Sequence, residues 1–208
     1  MSKQKSIIYK FNIDLNELNF FVNKTNLHAF NRLLYSELKL IYLFGPKKSG
    51  KSFLSQIWLN KNNAIEFDNN IQYLLANKKN VLVDNLSSFD QENIFYIVNN
   101  CILNDSKILI TSDIKINEFI FKFKDLSSRL KTFANLEIKQ PDDEMLLTIL
   151  TKLLIDKQFI INSNDIFEYI LRRIDRTYLG INDIVNKLDV ISLEKKRQLT
   201  IPLIKEIL

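Results

Sequence analysis

A chain of 208 residues with 46% hydrophobic and 25% charged residues suits one domain, or a core with a small appendage, and its composition excludes a disordered or fibrous protein. The net charge of +5 is spread over scattered lysines, which fits a solvated surface better than a concentrated nucleic-acid patch. Apolar runs such as Leu40–Phe44 fall far short of the roughly 20 residues of a membrane span, the first ten residues lack a signal-peptide pattern, and the lone Cys101 has no internal disulfide partner. A cytoplasmic protein with no membrane partner is expected.

In chain order, the periodicity predicts a helix over 26–37, a strand over 41–44, a helix over 51–60, strands over 64–67 and 81–83, and a helix over 90–102. A strand over 107–111, short helices across 115–130 and a strand over 135–139 follow. Strands separated by helices imply an α/β fold with a three-layer parallel sheet. Pro141-Asp142-Asp143-Glu144 then breaks the pattern and starts a helix, with acidic residues at the positive end of its dipole. Beyond it only helical spacing recurs, through 145–154, 166–174, 181–190 and 201–208. The expected organisation is a flexible N-terminal segment over 1–10, a core over 11–140 and a helical lid over 141–208.

Average usage would place about fifteen glycines in such a chain. This one has three, and two of them frame Gly45-Pro46-Lys47-Lys48-Ser49-Gly50-Lys51-Ser52, a full match to the phosphate-binding pattern G-x-x-x-x-G-K-[ST]. Glycines let such a loop fold tightly, so that consecutive backbone N–H groups converge on a di- or triphosphate. Lys51 then neutralises the β/γ end, and Ser52 offers its hydroxyl to Mg²⁺. The apolar run before the loop and Phe53, Leu54, Ile57 and Trp58 after it supply the strand, loop and helix that the motif requires. The cofactor expected is ADP or ATP with Mg²⁺.

A second strand, 81–83, ends in Asp84, placed to hold Mg²⁺ largely through water. Asn85 follows where many such ATPases carry an acid; an amide holds water but cannot take its proton, so weak intrinsic hydrolysis is expected. The third strand ends in Thr111-Ser112-Asp113, from which Ser112 is expected to reach the terminal phosphate. Arg129, in Ser127-Ser128-Arg129-Leu130, has the permanently charged planar head that suits transition-state phosphate, although from the residues alone a surface salt bridge or helix cap is the favoured reading of a lone arginine. His28 has no partners at metal spacing, and Cys101 and Trp58 read as core residues.

With these motifs and the tail from Gln198 to Leu208, the chain resembles the DnaA branch of the AAA+ ATPases, and most closely the Hda family, from about residue 11 to the end. The resemblance implies a nucleotide-bound regulator, carried by the sliding clamp and reaching DNA through it, that presents Arg129 in trans to ATP on DnaA and stimulates its hydrolysis. A homodimer is also compatible. The N-terminal peptide keeps Gln4, Ile7, Ile8 and Tyr9 of the family's clamp-binding segment but has Lys5 where leucine is expected. In the lid, Leu179 falls where the family carries a phosphate-sensing arginine, leaving Arg173 or Arg176 as substitutes. Two other readings belong to the same branch: a DnaC-like helicase loader using Arg172, Arg173 and Arg176, and a non-enzymatic scaffold stabilised by nucleotide. A DNA-binding initiator is not expected, since no helix-turn-helix region follows the lid.

Overall fold

The computed structural model describes residues 19–76, 78–161, 163 and 165–208. Gln4, Ile7, Ile8 and Tyr9 therefore lie outside the described residues. Helix α1 (Leu27–Tyr35) precedes β1 (Leu40–Phe44), α2 (Lys51–Lys61), β2 (Ile65–Glu66), α3 (Ile71–Ala76) and β3 (Val81–Val83). Next come α4 (Gln91–Leu103), β4 (Ile108–Ser112), α5 (Lys124–Leu130) and β5 (Ala134–Glu137). The chain finishes with α6 (Asp143–Asp156), α7 (Asp165–Leu171), α8 (Tyr178–Lys195) and α9 (Ile201–Lys205).

The five strands form one parallel sheet in the order β2-β3-β4-β1-β5, with β1 bonded to β4 on one side and β5 on the other. Side chains alternate across a strand, and the sequence obeys this strictly. Tyr42, Phe44, Val81, Val83, Ile108 and Ile110 pack on one face with Ile94, Ile97 and Cys101 of α4. Ile41, Leu43, Leu82 and Leu109 pack on the other with α1 and with Leu54, Ile57 and Trp58 of α2. Burial pushes the Cys101 thiol up to about 12, so it behaves as a small apolar side chain. His28 sits exposed on α1.

Helices α6 to α9 have their own core, in which Leu146, Leu150, Leu154, Ile170, Ile181 and Leu188 are fully buried. Met145 and Tyr178 leave that core and join the sheet's second face, which anchors the lid to the α/β body. Two elements depart from the expected order: helix α3 and a 3₁₀ turn over Leu86–Ser88. Both are too short to show a period. The first follows Asp68 and Asn69, where the Asp68 carboxylate accepts from Asn70 N (3.1 Å) and Asn69 takes a φ of 73°. Among the described residues, no helix is long and apolar enough to cross a membrane.

Candidate functional site

The loop after β1 is shaped by its neighbours. Gly45 lies so close to the end of β5 that a Cβ there would stand 2.5 Å from the Ile138 carbonyl oxygen. Ser49 N donates to Pro46 O (3.3 Å), which tightens the turn, and Gly50, at φ 89°, brings the chain into α2. The N-terminus of α2 has no side-chain cap, and the Ser49 hydroxyl is buried without a partner. Orphan donors gathered at a helix N-terminus around a void are what a multiply charged anion requires. The void is a cavity of about 680 Å³, lined by residues 47 to 52, by Asp84, Asn85 and residues 111 to 113, and by Leu153, Leu179 and Asn182 of the lid.

Lys51 is buried at the base of this cavity, its Nζ donating to Gly45 O (2.9 Å) and Pro46 O (2.8 Å) and pairing with Asp113 Oδ1 (2.9 Å). Strand alternation explains which polar groups join it. Leu82 and Leu109 face α2, so two residues further on Asp84 and Thr111 face it too, and Thr111 Oγ1 donates to Asp84 Oδ1 (2.5 Å). Thr111 Oγ1 also accepts from Asn85 N (2.7 Å), tying the ends of β3 and β4 together. Ser112 falls on the opposite face, fully buried. Its hydroxyl accepts from Ile114 N (3.2 Å) and shares hydrogen bonding with the Tyr42 phenol, whose pKa burial raises. The side chains that reach the centre of the site are therefore Thr111 and Asp113, which alternation sets apart from Ser112 and the placement of α2 selects. Ser112 forms only wall. Asn85 stands at φ 68° with its amide donating to Ser88 Oγ (2.7 Å), while Ser52, exposed on the first turn of α2, lines the cavity with Asp84.

A second, more apolar chamber of about 330 Å³ adjoins the loop. Phe20 stacks on Phe30 (5.8 Å between centroids) and Phe53 (6.1 Å), and its ring edge lies against Gly50. Met145, Ile149 and Tyr178 close the lid side, and Lys152 Nζ donates to Asn19 O (2.8 Å) across the mouth. This chamber was not legible in the sequence, because its walls come from residues 19–26, 48–53, 145–156 and 178–182, which no local pattern joins.

Arg129 lies outside both chambers. It is exposed on the last turn of α5, its guanidinium 5.7 Å from the centroid of Phe95, with no ion pair among the described residues. The two lid arginines considered as substitutes at Leu179 are engaged elsewhere. Arg176 pairs with Asp143, and Arg173 stacks 3.6 Å over the Tyr169 ring. Leu179 itself lines the larger cavity.

A parallel sheet of this strand order, with the loop at the tip of β1 between β4 and β5 and a helical lid beside that tip, gives the chain the fold of AAA+ P-loop domains. Solved structures share this fold. Domain III of Thermotoga maritima DnaA superposes with a TM-score of 0.75 at 16% identity, covering 95% of this chain and 96% of that one. AMPPCP-bound DnaA from Aquifex aeolicus gives 0.66 at 18% identity over 87% and 68%, and the Thermotoga maritima RuvB branch-migration motor gives 0.60 at 14% over 86% and 64%. No curated protein sequence matches the chain. Residues 143–208 match the family described as Hda, lid domain. The lid thus matches that of Hda proteins, and the chain as a whole has the fold of the DnaA AAA+ domain.

Proposed function

We propose that the protein binds an adenine nucleotide between core and lid and regulates replication initiation by stimulating ATP hydrolysis on DnaA. The loop of residues 45 to 52 would hold the phosphates of ADP or ATP. Lys51 would exchange Asp113 for phosphate oxygen, and Ser52 and Asp84 would hold Mg²⁺, Asp84 with its second oxygen free of Thr111. The apolar chamber beside Phe20 and Phe53 would take the base. The uncapped start of α2 and the orphan Ser49 hydroxyl support an anion at this place. Hydrolysis by the protein itself would be slow, since Asn85 cannot take a proton and its amide is held by Ser88.

The observation that carries the regulatory reading is the position of Arg129, exposed, unpaired and outside the protein's own phosphate cavity. An arginine so placed can reach only a nucleotide held by another molecule, where its planar charge stabilises a transferring phosphoryl group. The Hda-type lid makes DnaA the expected partner. Carriage by the sliding clamp, and access to DNA through it, would fall to Gln4, Ile7, Ile8 and Tyr9.

The test is phosphate release from ATP-loaded DnaA in the presence of clamp and DNA. Arg129→Ala is expected to keep nucleotide binding and lower the stimulated rate by about a thousandfold or more, the range known for arginines supplied in trans. Undiminished stimulation would remove Arg129 from the reaction. Stimulation absent from the unaltered protein, together with a nucleotide-dependent rise in melting temperature, would favour a nucleotide-stabilised scaffold instead.

A further inference from the structure

Among the described residues, the lid brings no charged side chain to the lining of the larger cavity. Leu153, Leu179 and Asn182 form that wall, and the nearby lid arginines are occupied by Asp143 and Tyr169. A polyphosphate held there would meet a cation only from the loop side. Lys51 is already buried on two carbonyls and Asp113, and Lys152, which lines only the apolar chamber, donates to Asn19 O.

Lys48 is placed differently. It is the one lysine that lines both chambers, it is exposed, and its ammonium has no hydrogen-bond or ion-pair partner among the described residues. Its φ of 64° lies in the left-handed region, where a residue with a Cβ sacrifices stability that glycine would keep. A strained, charged, unpartnered side chain at the junction of two ligand chambers points to a role that glycine could not fill.

We propose that the Lys48 ammonium supplies, from the loop, the phosphate-facing cation that the lid lacks. The proposal rests on the nucleotide reading above and deepens it. The four-carbon stem lets the charge follow the phosphate chain, and its three donors need no fixed fork. Because the group is exposed, its contribution is strongly screened by salt. Leu179 and Lys48 are then two sides of one exchange, charge removed from the lid and added to the loop.

Equilibrium binding of fluorescently labelled ADP and ATP with Mg²⁺, measured from low to high salt, tests this on the full chain. Lys48→Gln is expected to weaken binding about tenfold, the weight of one charge-assisted hydrogen bond, and to flatten the salt dependence. Lys48→Arg should recover most of the affinity. In the Lys48→Gln background, Leu179→Arg should also restore it, from the other wall. Melting temperature without nucleotide should not move between Lys48→Gln and the unaltered protein.

Lys51→Ala separates the inference from the reading beneath it. If Lys51→Ala loses binding while Lys48→Gln stays within twofold of the unaltered protein, the role given to Lys48 is overturned and the nucleotide site stands. A tenfold loss that neither arginine restores overturns it as well, since the effect would then come from the backbone. No binding by the unaltered protein, or full binding by Lys51→Ala, overturns the nucleotide reading itself.

Discussion

Gly45 sits where β1 runs into the loop, and the space for a side chain there is taken by the Ile138 carbonyl just past the end of β5. That oxygen belongs to backbone and cannot rotate away, so Gly45→Ala must push β5 from β1. Overpacking of this kind costs about 1–3 kcal/mol. A lower urea midpoint with an unchanged slope is the expected result, and a midpoint equal to that of the unaltered protein would contradict the contact. Alternation acts at the same scale at the end of β4, where Thr111 and Asp113 turn to Asp84 and Lys51 while Ser112 turns to Tyr42. The motif at 45 to 52 could be read from residue order alone. Choosing between Thr111 and Ser112 required knowing which face of the sheet carries α2.

At the scale of elements, left-handed positions show how a chain with three glycines still makes its turns. Among the described residues, those with positive φ besides Gly50 are Lys48, Asn63, Asn69, Asn85, Asp105, Gln158 and Lys196. Four of the seven are Asn or Asp, whose short polar side chains tolerate this region best. Helix starts in the lid are specified by side chains instead. Thr177 Oγ1 accepts from Gly180 N (3.0 Å) at the head of α8, the helix that brings Leu179 and Asn182 to the cavity. Thr177→Ala is expected to cost about 1 kcal/mol, and Thr177→Ser to cost less, as read from denaturant midpoints. Equal midpoints for the two variants would show that the cap contributes nothing.

Two carboxylates clasp the lid at the scale of the whole molecule. Asp142 caps α6 by accepting from Met145 N (2.9 Å), accepts from Asn23 Nδ2 (2.9 Å) and pairs with Lys24 (3.2 Å), joining the lid to the segment before α1. Glu206 accepts from Lys195 and from Arg197 Nη1 (2.7 Å), holding α9 to the end of α8. The Met145 N–H chiefly lowers the Asp142 pKa from its ordinary value of 3.8, and Lys195 chiefly lowers that of Glu206 from 4.5. A depressed carboxylate contributes stability that is complete above its unfolded pKa and is lost as pH falls through its folded pKa. Stability should therefore hold down to about pH 5 and fall below the ordinary values of 4.5 and 3.8 as both clasps protonate. Asp142→Asn with Glu206→Gln should make that acid limb shallower in denaturant titrations from pH 7 to about pH 2.5. An acid limb as steep as that of the unaltered protein would assign the loss to other groups.

The sequence by itself determined the α/β core, the loop of residues 45 to 52 and the helical lid, because these depend on local period, a glycine pair and a proline break that act within a few residues. Only the tertiary structure decided what meets across the site: Phe20 against Gly50 and Phe53, Asp113 against Lys51, Arg129 turned outward, and Lys48 between two chambers. Those contacts join segments far apart in the chain, and their identity is set by how the sheet's two faces and the lid pack together, which no local pattern encodes.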